Sequence, residues 1–463
     1  MKKSLITRIL ALCLALVMVL GLAACGKAPA ENAEIPAAEG EKAPEAGGET
    51  AAEGAEEKEE ITLTVWVQSL VSSAELLLPE EEWWISKAIA KFQEDYPYVN
   101  IDLTKQNSGS EAATMFRAGA TSGTAPDIAE FWSGSWMTDL ADYAYPVDEL
   151  LSEEAQARLM SWEACAMDFN SDNERIAIPT SSQSIGGFYY NKDIIAEAGL
   201  DFENDPPQTV EELFEACEKI KEAGYTPIIS DEGSGHNLIY FVFCYWWVQQ
   251  SGYDTLVAQN KGESKYADDE GLIRAMELYQ ELYTNGYVNS DAVSASDAES
   301  RFMMGTEAAM YPKSSATEAA LYEALGDSLG FIKPCDVDPN GIITDKLIGG
   351  NGQAFIVSKD TQYPEECAAL IEYLVSAEEF IEYKKVRTAA IPNITDVDLS
   401  ALGELDPVAE KMMGLASEAT FYVDNVVDAD VIAELVRYSA DLLVGNMSPE
   451  EVAEAMDAII AAK

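Results

Sequence analysis

From Arg175 to Gly199 the chain reads RIAIPTSSQSIGGFYYNKDIIAEAG. Arg175 to Ile178 alternates polar and apolar side chains, the pattern of a short half-buried strand. Pro179 closes it, because its ring fixes φ and removes an N–H donor. Thr180 to Ser184 is small and polar. Gly186 and Gly187 then free the backbone, and Phe188, Tyr189 and Tyr190 supply a bulky core strand. Asp193 is placed to cap a helix over Ile194–Ala198, which Gly199 ends. A strand leaves one body, a polar strip crosses, and a strand–helix unit starts another. That is the pattern of a hinge between two lobes.

Upstream, Ile61–Val67 is a strand, Trp83–Gln93 an amphipathic helix, Val99–Leu103 a strand, Glu111–Ala120 a helix and Asp127–Phe131 a strand. This alternation predicts an α/β lobe with parallel pairing. Downstream, a capping box (Thr209 with Glu212) opens a helix, Ile228–Ser230 is a short strand and Leu238–Gln250 an intensely apolar helix. Ala308–Tyr311 and Gln353–Val357 read as buried strands. Ser376 with Glu379 and Ser448 with Glu451 are two more capping boxes.

Further out, Lys2, Lys3 and Arg8 precede an apolar run, Ile9–Leu20, shorter than the ~20 residues of a spanning helix. With Leu22-Ala23-Ala24-Cys25 behind it, this is a secretory signal over residues 1–24 whose junction resembles a bacterial lipobox, which implies a lipid on Cys25. Residues 25–60 are rich in Ala, Glu, Gly and Pro and poor in large apolar residues, so a disordered acidic tether is expected. The remaining four hundred or so residues are enough for two or three domains of ordinary size.

The net charge is −53. Taking the 11 Glu and 3 Lys of Lys27–Glu60 and the three basic residues of the leader from 82 acidic and 29 basic residues leaves the body at −48. Such a surface excludes nucleic acid as a partner and repels anionic headgroups, so a membrane would be held through the lipid alone. Five cysteines lie beyond Cys25, an odd number without C-x-x-C spacing, and Cys217 and Cys367 sit at apolar helix positions. The one histidine, His236, rules out a His-based metal cluster. No phosphate loop, zinc motif, nucleophile elbow or dinucleotide fingerprint occurs, so neither cofactor nor metal is expected. Paired acids, Asp127 with Glu130 and Asp231 with Glu232, keep a two-carboxylate glycosidase in view.

Ile178-Pro179-Thr180, the run Phe188-Tyr189-Tyr190-Asn191-Lys192-Asp193 and Ala198-Gly199-Leu200 together resemble the family 1 extracellular solute-binding proteins, relatives of maltose-binding protein. The resemblance covers most of the chain after Ile61. It implies a two-lobed α/β fold of the periplasmic-binding-protein type, two sheets joined by a three-crossing hinge with the ligand cleft between. The expected lobes are residues 61–180 plus 349–392 and residues 181–348 plus 393–463. Their crossings are expected at Thr180–Ser184, Lys333–Gly349 and Pro392–Ser400.

Ligands of open α/β sheets bind beyond the carboxyl ends of strands. Trp66 and the Trp132-Ser133-Gly134-Ser135-Trp136 segment stand at such ends, where an indole can stack on a pyranose and Ser133 can bond its hydroxyls. Gln183 and Tyr189 lie beside the hinge. The resemblance adds His236, Asn237 and Tyr240, from the loop and helix start that face the ligand in relatives. It also adds Gly350 and Asn351 from the Gly-Gly-Asn-Gly run, and Tyr422. Where relatives often place a Gly-x-Trp sugar platform, this chain has Pro312-Lys313-Ser314-Ser315. That departure moves the stacking to other aromatics and weakens the case for a maltose-like ligand.

The function these readings point to is capture of a neutral carbohydrate, an oligosaccharide in the first instance, for an ABC importer. The resemblance implies delivery to a permease and ATPase. The chain is expected to be a monomer, lipid-anchored on the outer face of the cytoplasmic membrane of a Gram-positive bacterium. A binder of a polyamine or other cationic solute is the alternative, and a secreted glycoside hydrolase the more distant one.

Overall fold

Two β-sheets, each covered by helices, are built from twelve strands in a computed structural model. It describes residues 58–463 apart from 73, 108–109, 139, 167–168 and 170–174. The signal, Cys25 and most of the tether therefore lie outside the described residues, among which no helix is long and apolar enough to cross a membrane.

The first sheet has the order β2-β1-β3-β10-β4, with β1 Ile61–Val67, β2 Val99–Lys105, β3 Ile128–Trp132, β4 Ile178–Pro179 and β10 Gln353–Val357. β1 pairs in parallel with β2 and β3, while β10 runs antiparallel to β3 and β4. On β1, Leu63, Val65 and Val67 point to a core with Ile85, Phe92, Phe355, Ile371 and Phe380. The opposite face is covered by Phe116, Phe131, Met137 and Ile356. Period-2 alternation on a sheet covered on both sides produces this division.

The second sheet has the order β12-β9-β5-β7-β6. Its strands are β5 Ser182–Asn191, β6 Thr226–Ile228, β7 Ala308–Ser314, β9 Leu347–Gly350 and β12 Ala419–Phe421. β8 Leu329–Ile332 and β11 Ile391–Pro392 also pair with β5. β5 is the central strand. Phe188 and Tyr190 enter a core with Trp246, Trp247, Tyr279 and Leu435, and Tyr189 enters the other with Phe302, Tyr311 and Phe331.

Several local readings shift. The helix Lys192–Glu197 is capped by Asn191, whose side chain accepts from the N–H groups of Asp193 and Ile194, and not by Asp193. Thr209 and Glu212 form a full capping box, as do Ser448 and Glu451. Ser376 accepts from the Glu379 N–H. The apolar run after Leu238 opens with a π-turn, Ile239–Phe243, before the helix Cys244–Asn260, which breaks at Gly252 (φ 70°). The five cysteines of the body are free and buried.

The sheets also place the passages between lobes. β4 lies in the first sheet and β5 in the second, so the chain crosses at Thr180–Ser181. β9 pairs with β5 and β12 in the second sheet, and β10 lies in the first, so the second crossing is Asn351–Gly352. That corrects the expected Lys333–Gly349, because Leu347 to Gly350 is still a strand of the second lobe. Ile394 and Val397 pack on the first-lobe core and Leu405 on the second, so the last return falls between them.

Candidate functional site

Buried amides stitch the crossings together. Thr180 Oγ1 donates to Asn351 Oδ1 at 2.9 Å, and Ser133 Oγ donates to the Asn351 carbonyl at 2.6 Å. Asn393 Nδ2 donates to the carbonyls of Thr180 (3.0 Å) and Met160 (3.1 Å), while Ser161 Oγ donates to Asn393 Oδ1. Asn351 is fully buried, and its Nδ2 faces the Cys165 thiol rather than an oxygen. A buried amide engaged this way fixes the relation of the crossings. It corrects the expectation that Asn351 bonds ligand hydroxyls.

The lobes meet in front of this network. Asn425, on the turn after β12, donates from Nδ2 to Ser133 Oγ at 3.1 Å, and Ser135 Oγ donates to the Asp424 carbonyl at 3.1 Å. Gly134 sits at φ 74° directly against the Asn425 backbone.

One cavity borders that contact and a second lies at the hinge. The outer one, about 550 Å³, is lined from the first lobe by Thr114, Arg117, Ser135 and Trp136 and from the second by Asn260 and Asp428. Its volume falls in the roughly 300–1,000 Å³ range of small-molecule sites. Trp132, half-buried at the end of β3, meets Trp136 edge-on with ring centres 5.0 Å apart. The C-terminal Lys463 pairs with Asp428 at 2.5 Å on its rim. The inner cavity, about 230 Å³, lies against the hinge, between Ser69, Gln353, Tyr383 and Arg387 of the first lobe and Ser184 and Ser315 of the second. Ser184 Oγ shares a hydrogen bond of 2.8 Å with the Tyr422 hydroxyl, and Tyr422 meets Phe241 edge-on.

Glu130 shapes the inner wall. Its carboxylate accepts from the N–H groups of Gln68, Ser69 and Leu70 and so holds the loop after β1 in place; burial pushes its pKa up. Asp424 stands near Tyr240 and Tyr422, and burial pushes its carboxyl up to about 6. The suspected acid pairs have structural partners. Asp127 accepts from Thr64 and Thr361, and Glu232 from Ser230, Leu238 and Ile239.

The expected ligand residues divide accordingly. Trp136 lines the outer cavity and Gln183 the inner one, but the Gln183 amide nitrogen is committed to the carbonyls of Pro392 and Ala416. Ser133 is wholly buried in the seam and Tyr422 is joined to it through Ser184. Tyr189 cannot stack on a ligand: it is fully buried beside Phe331 and donates to the Ser314 carbonyl, which also places Ser314 in the strand. Trp66 packs half-buried on the Phe116 layer and lines neither cavity. His236 (φ 50°) reaches Ser439 at 3.3 Å within its own lobe. Asn237 is buried between Asp231 and Lys313. Gly350 takes φ 99° beside the Phe421 ring, a backbone need and not a ligand approach. Tyr240 is half-buried near Asp424. Sequence reasoning missed Ser69, Ser315, Gln353 and Arg387. None carries a local signal; Ser184 at least stood in the polar strip.

The family model for the bacterial extracellular solute-binding proteins matches residues 87–411. The chain belongs to that family. Among curated solute-binding relatives it is 26% identical over 157 residues to an ABC transporter extracellular-binding protein of Pyrococcus horikoshii, covering 31% of this chain and 35% of that one. It therefore spans about a third of that relative's length. It is 24% identical over 373 residues to the ABC transporter periplasmic-binding protein YcjN of Escherichia coli, covering 75% of this chain and 80% of that one. Among solved structures, a chitin oligosaccharide binding protein superposes with a TM-score of 0.69 at 20% identity over 87% of this chain and 98% of that one. This solute-binding protein therefore has the two-lobed α/β fold.

Proposed function

We propose that this solute-binding protein captures a carbohydrate, an oligosaccharide in the first instance, between its lobes and delivers it to the permease of an ABC importer. A lipid on Cys25 holds it at the outer face of the cytoplasmic membrane. The observation that carries the reading is the seam itself. Both cavities are lined from both lobes, by hydroxyls, amides and aromatic rings set among charged side chains. Those groups match a sugar's hydroxyl edge and apolar face. A ligand that touches both lobes stabilises the closed arrangement, and the permease reads that arrangement. The name of the chitin oligosaccharide binding protein, whose fold this chain shares, supports a sugar. The acids Glu163, Asp428 and Asp430 on the wall of the outer cavity are the feature that favours a polyamine instead.

A thermal-shift screen of the mature protein tests the reading. Ligands that bind only the folded state raise its melting temperature. The screen contains neutral and acidic oligosaccharides, sugar phosphates, spermidine and putrescine. A sugar should raise the melting temperature and be recovered chemically intact. A rise with spermidine and none with any sugar refutes carbohydrate capture, and a cleaved sugar refutes a pure binder.

A further inference from the structure

Arg387 follows the first-lobe helix Ala377–Val386 and lines the inner cavity. Its Nη2 donates to the Ser69 carbonyl, its guanidinium lies 5.9 Å from the Tyr383 ring centre, and its Nε is buried without a hydrogen-bond partner. Arg158, Arg274, Arg301 and Arg437 each pair with a carboxylate. Among the described residues Arg387 has no such pair. The nearby buried acid, Glu130, has its oxygens engaged by three backbone N–H groups.

A chain with 82 acidic residues could readily supply a partner at this position. Glu130 attracts this partly desolvated guanidinium without pairing with it, so inside a cavity between two lobes it suits an anionic partner that arrives with the ligand. The hydroxyls of Ser69, Ser184 and Ser315 and the Gln353 amide line the same space and can donate to further oxygens. At about 230 Å³ the cavity is smaller than a whole-ligand site, a size that suits one unit of a larger sugar.

We infer that the inner cavity recognises an anionic oxygen group on the sugar, a carboxylate or a phosphate, with Arg387 as its principal partner. This rests on the carbohydrate reading above and replaces the neutral sugar expected from sequence.

The mature full-length protein is titrated by calorimetry with digalacturonate, glucuronate and glucose 6-phosphate, and with cellobiose and maltose as neutral counterparts. An acidic probe should bind more tightly than the neutral ones, and added salt should weaken it. Which acidic probe binds separates carboxylate from phosphate. Arg387→Gln should weaken that probe about tenfold to a hundredfold, the effect of losing a hydrogen bond to a charged group. Arg387→Lys, which keeps the charge but not the planar fork, should recover part of the loss, and circular dichroism checks that both variants fold. If Arg387→Gln does not fold, Ser315→Ala should weaken the acidic probe severalfold, and an unchanged affinity counts against the inference. Neutral sugars binding as well as acidic ones, or wild-type affinity in folded Arg387→Gln, overturns the inference and leaves carbohydrate capture standing. Failure of every sugar, neutral and acidic, overturns both.

Discussion

Replacing Gly134 with alanine should hold the two lobes apart while each still folds. Gly134 adopts φ 74° at the turn after β3, and an added Cβ would lie 2.1 Å from the Asn425 carbonyl oxygen and 2.4 Å from its Cα. Real Cβ contacts do not fall under 3.0 Å, and both atoms are backbone, so neither can rotate away. The lobes must part by about 1 Å or more, the gap between 2.1 and 3.0 Å. Two interlobe hydrogen bonds lie at the contact, Asn425 Nδ2 to Ser133 Oγ and Ser135 Oγ to the Asp424 carbonyl, both at 3.1 Å. Each would stretch beyond bonding distance, for a loss of about 1 kcal/mol apiece. About 2 kcal/mol against the closed form corresponds to roughly thirtyfold in affinity. The left-handed backbone costs alanine a further ~1–2 kcal/mol. That cost is present open and closed alike, so it lowers the melting temperature without entering the affinity. Calorimetry with the tightest sugar from the screen measures the first effect. Small-angle scattering should show wild type compacting on saturation and the variant compacting less. Wild-type affinity together with full compaction would refute the reasoning.

Tyr189→Phe should leave ligand affinity unchanged and cost about 1 kcal/mol of stability, because the hydroxyl bonds only the Ser314 carbonyl and a sulfur in the core; a weakened affinity by calorimetry would return Tyr189 to the site. The Glu318 carboxyl, buried in the second lobe, is pushed up to about 7 by burial and by neighbouring Asp406. A raised carboxyl contributes stability below its unfolded value near 4.5 and loses it as pH rises through 7, so Glu318→Gln should flatten the fall in denaturation midpoint between pH 5 and 8, by on the order of 1–3 kcal/mol. An unchanged slope in urea melts across that range speaks against it. Cys25→Ala, expressed in the native host and fractionated, should release the protein from the membrane; a variant as membrane-bound and as fully processed as wild type removes the lipid anchor from the account.

What could be read from the linear chain was local. Strand-forming runs marked β1 and the aromatic stretch of β5, and reciprocal side chains marked the capping boxes at Thr209 and Ser448. These interactions span a few residues, so their spacing is written in the order of residues. The motifs around Ile178 to Gly199 also carried the family resemblance, and with it the two-lobed fold.

Burial, partner choice and the composition of the site were decided only in three dimensions. Tyr189 stands beside the hinge in sequence, yet β5 is central to a sheet covered on both faces, so its aromatics enter cores on either side. Asn351 sits in a glycine-rich run that suits ligand approach, yet it holds the crossings, because Thr180 and Ser133 reach it from 171 and 218 residues away. The inner cavity gathers Ser69, Ser184, Ser315, Gln353 and Arg387 from five separate segments. No local pattern can announce such a cluster. It exists only because the chain passes repeatedly between the lobes and brings the loops at the sheet ends face to face.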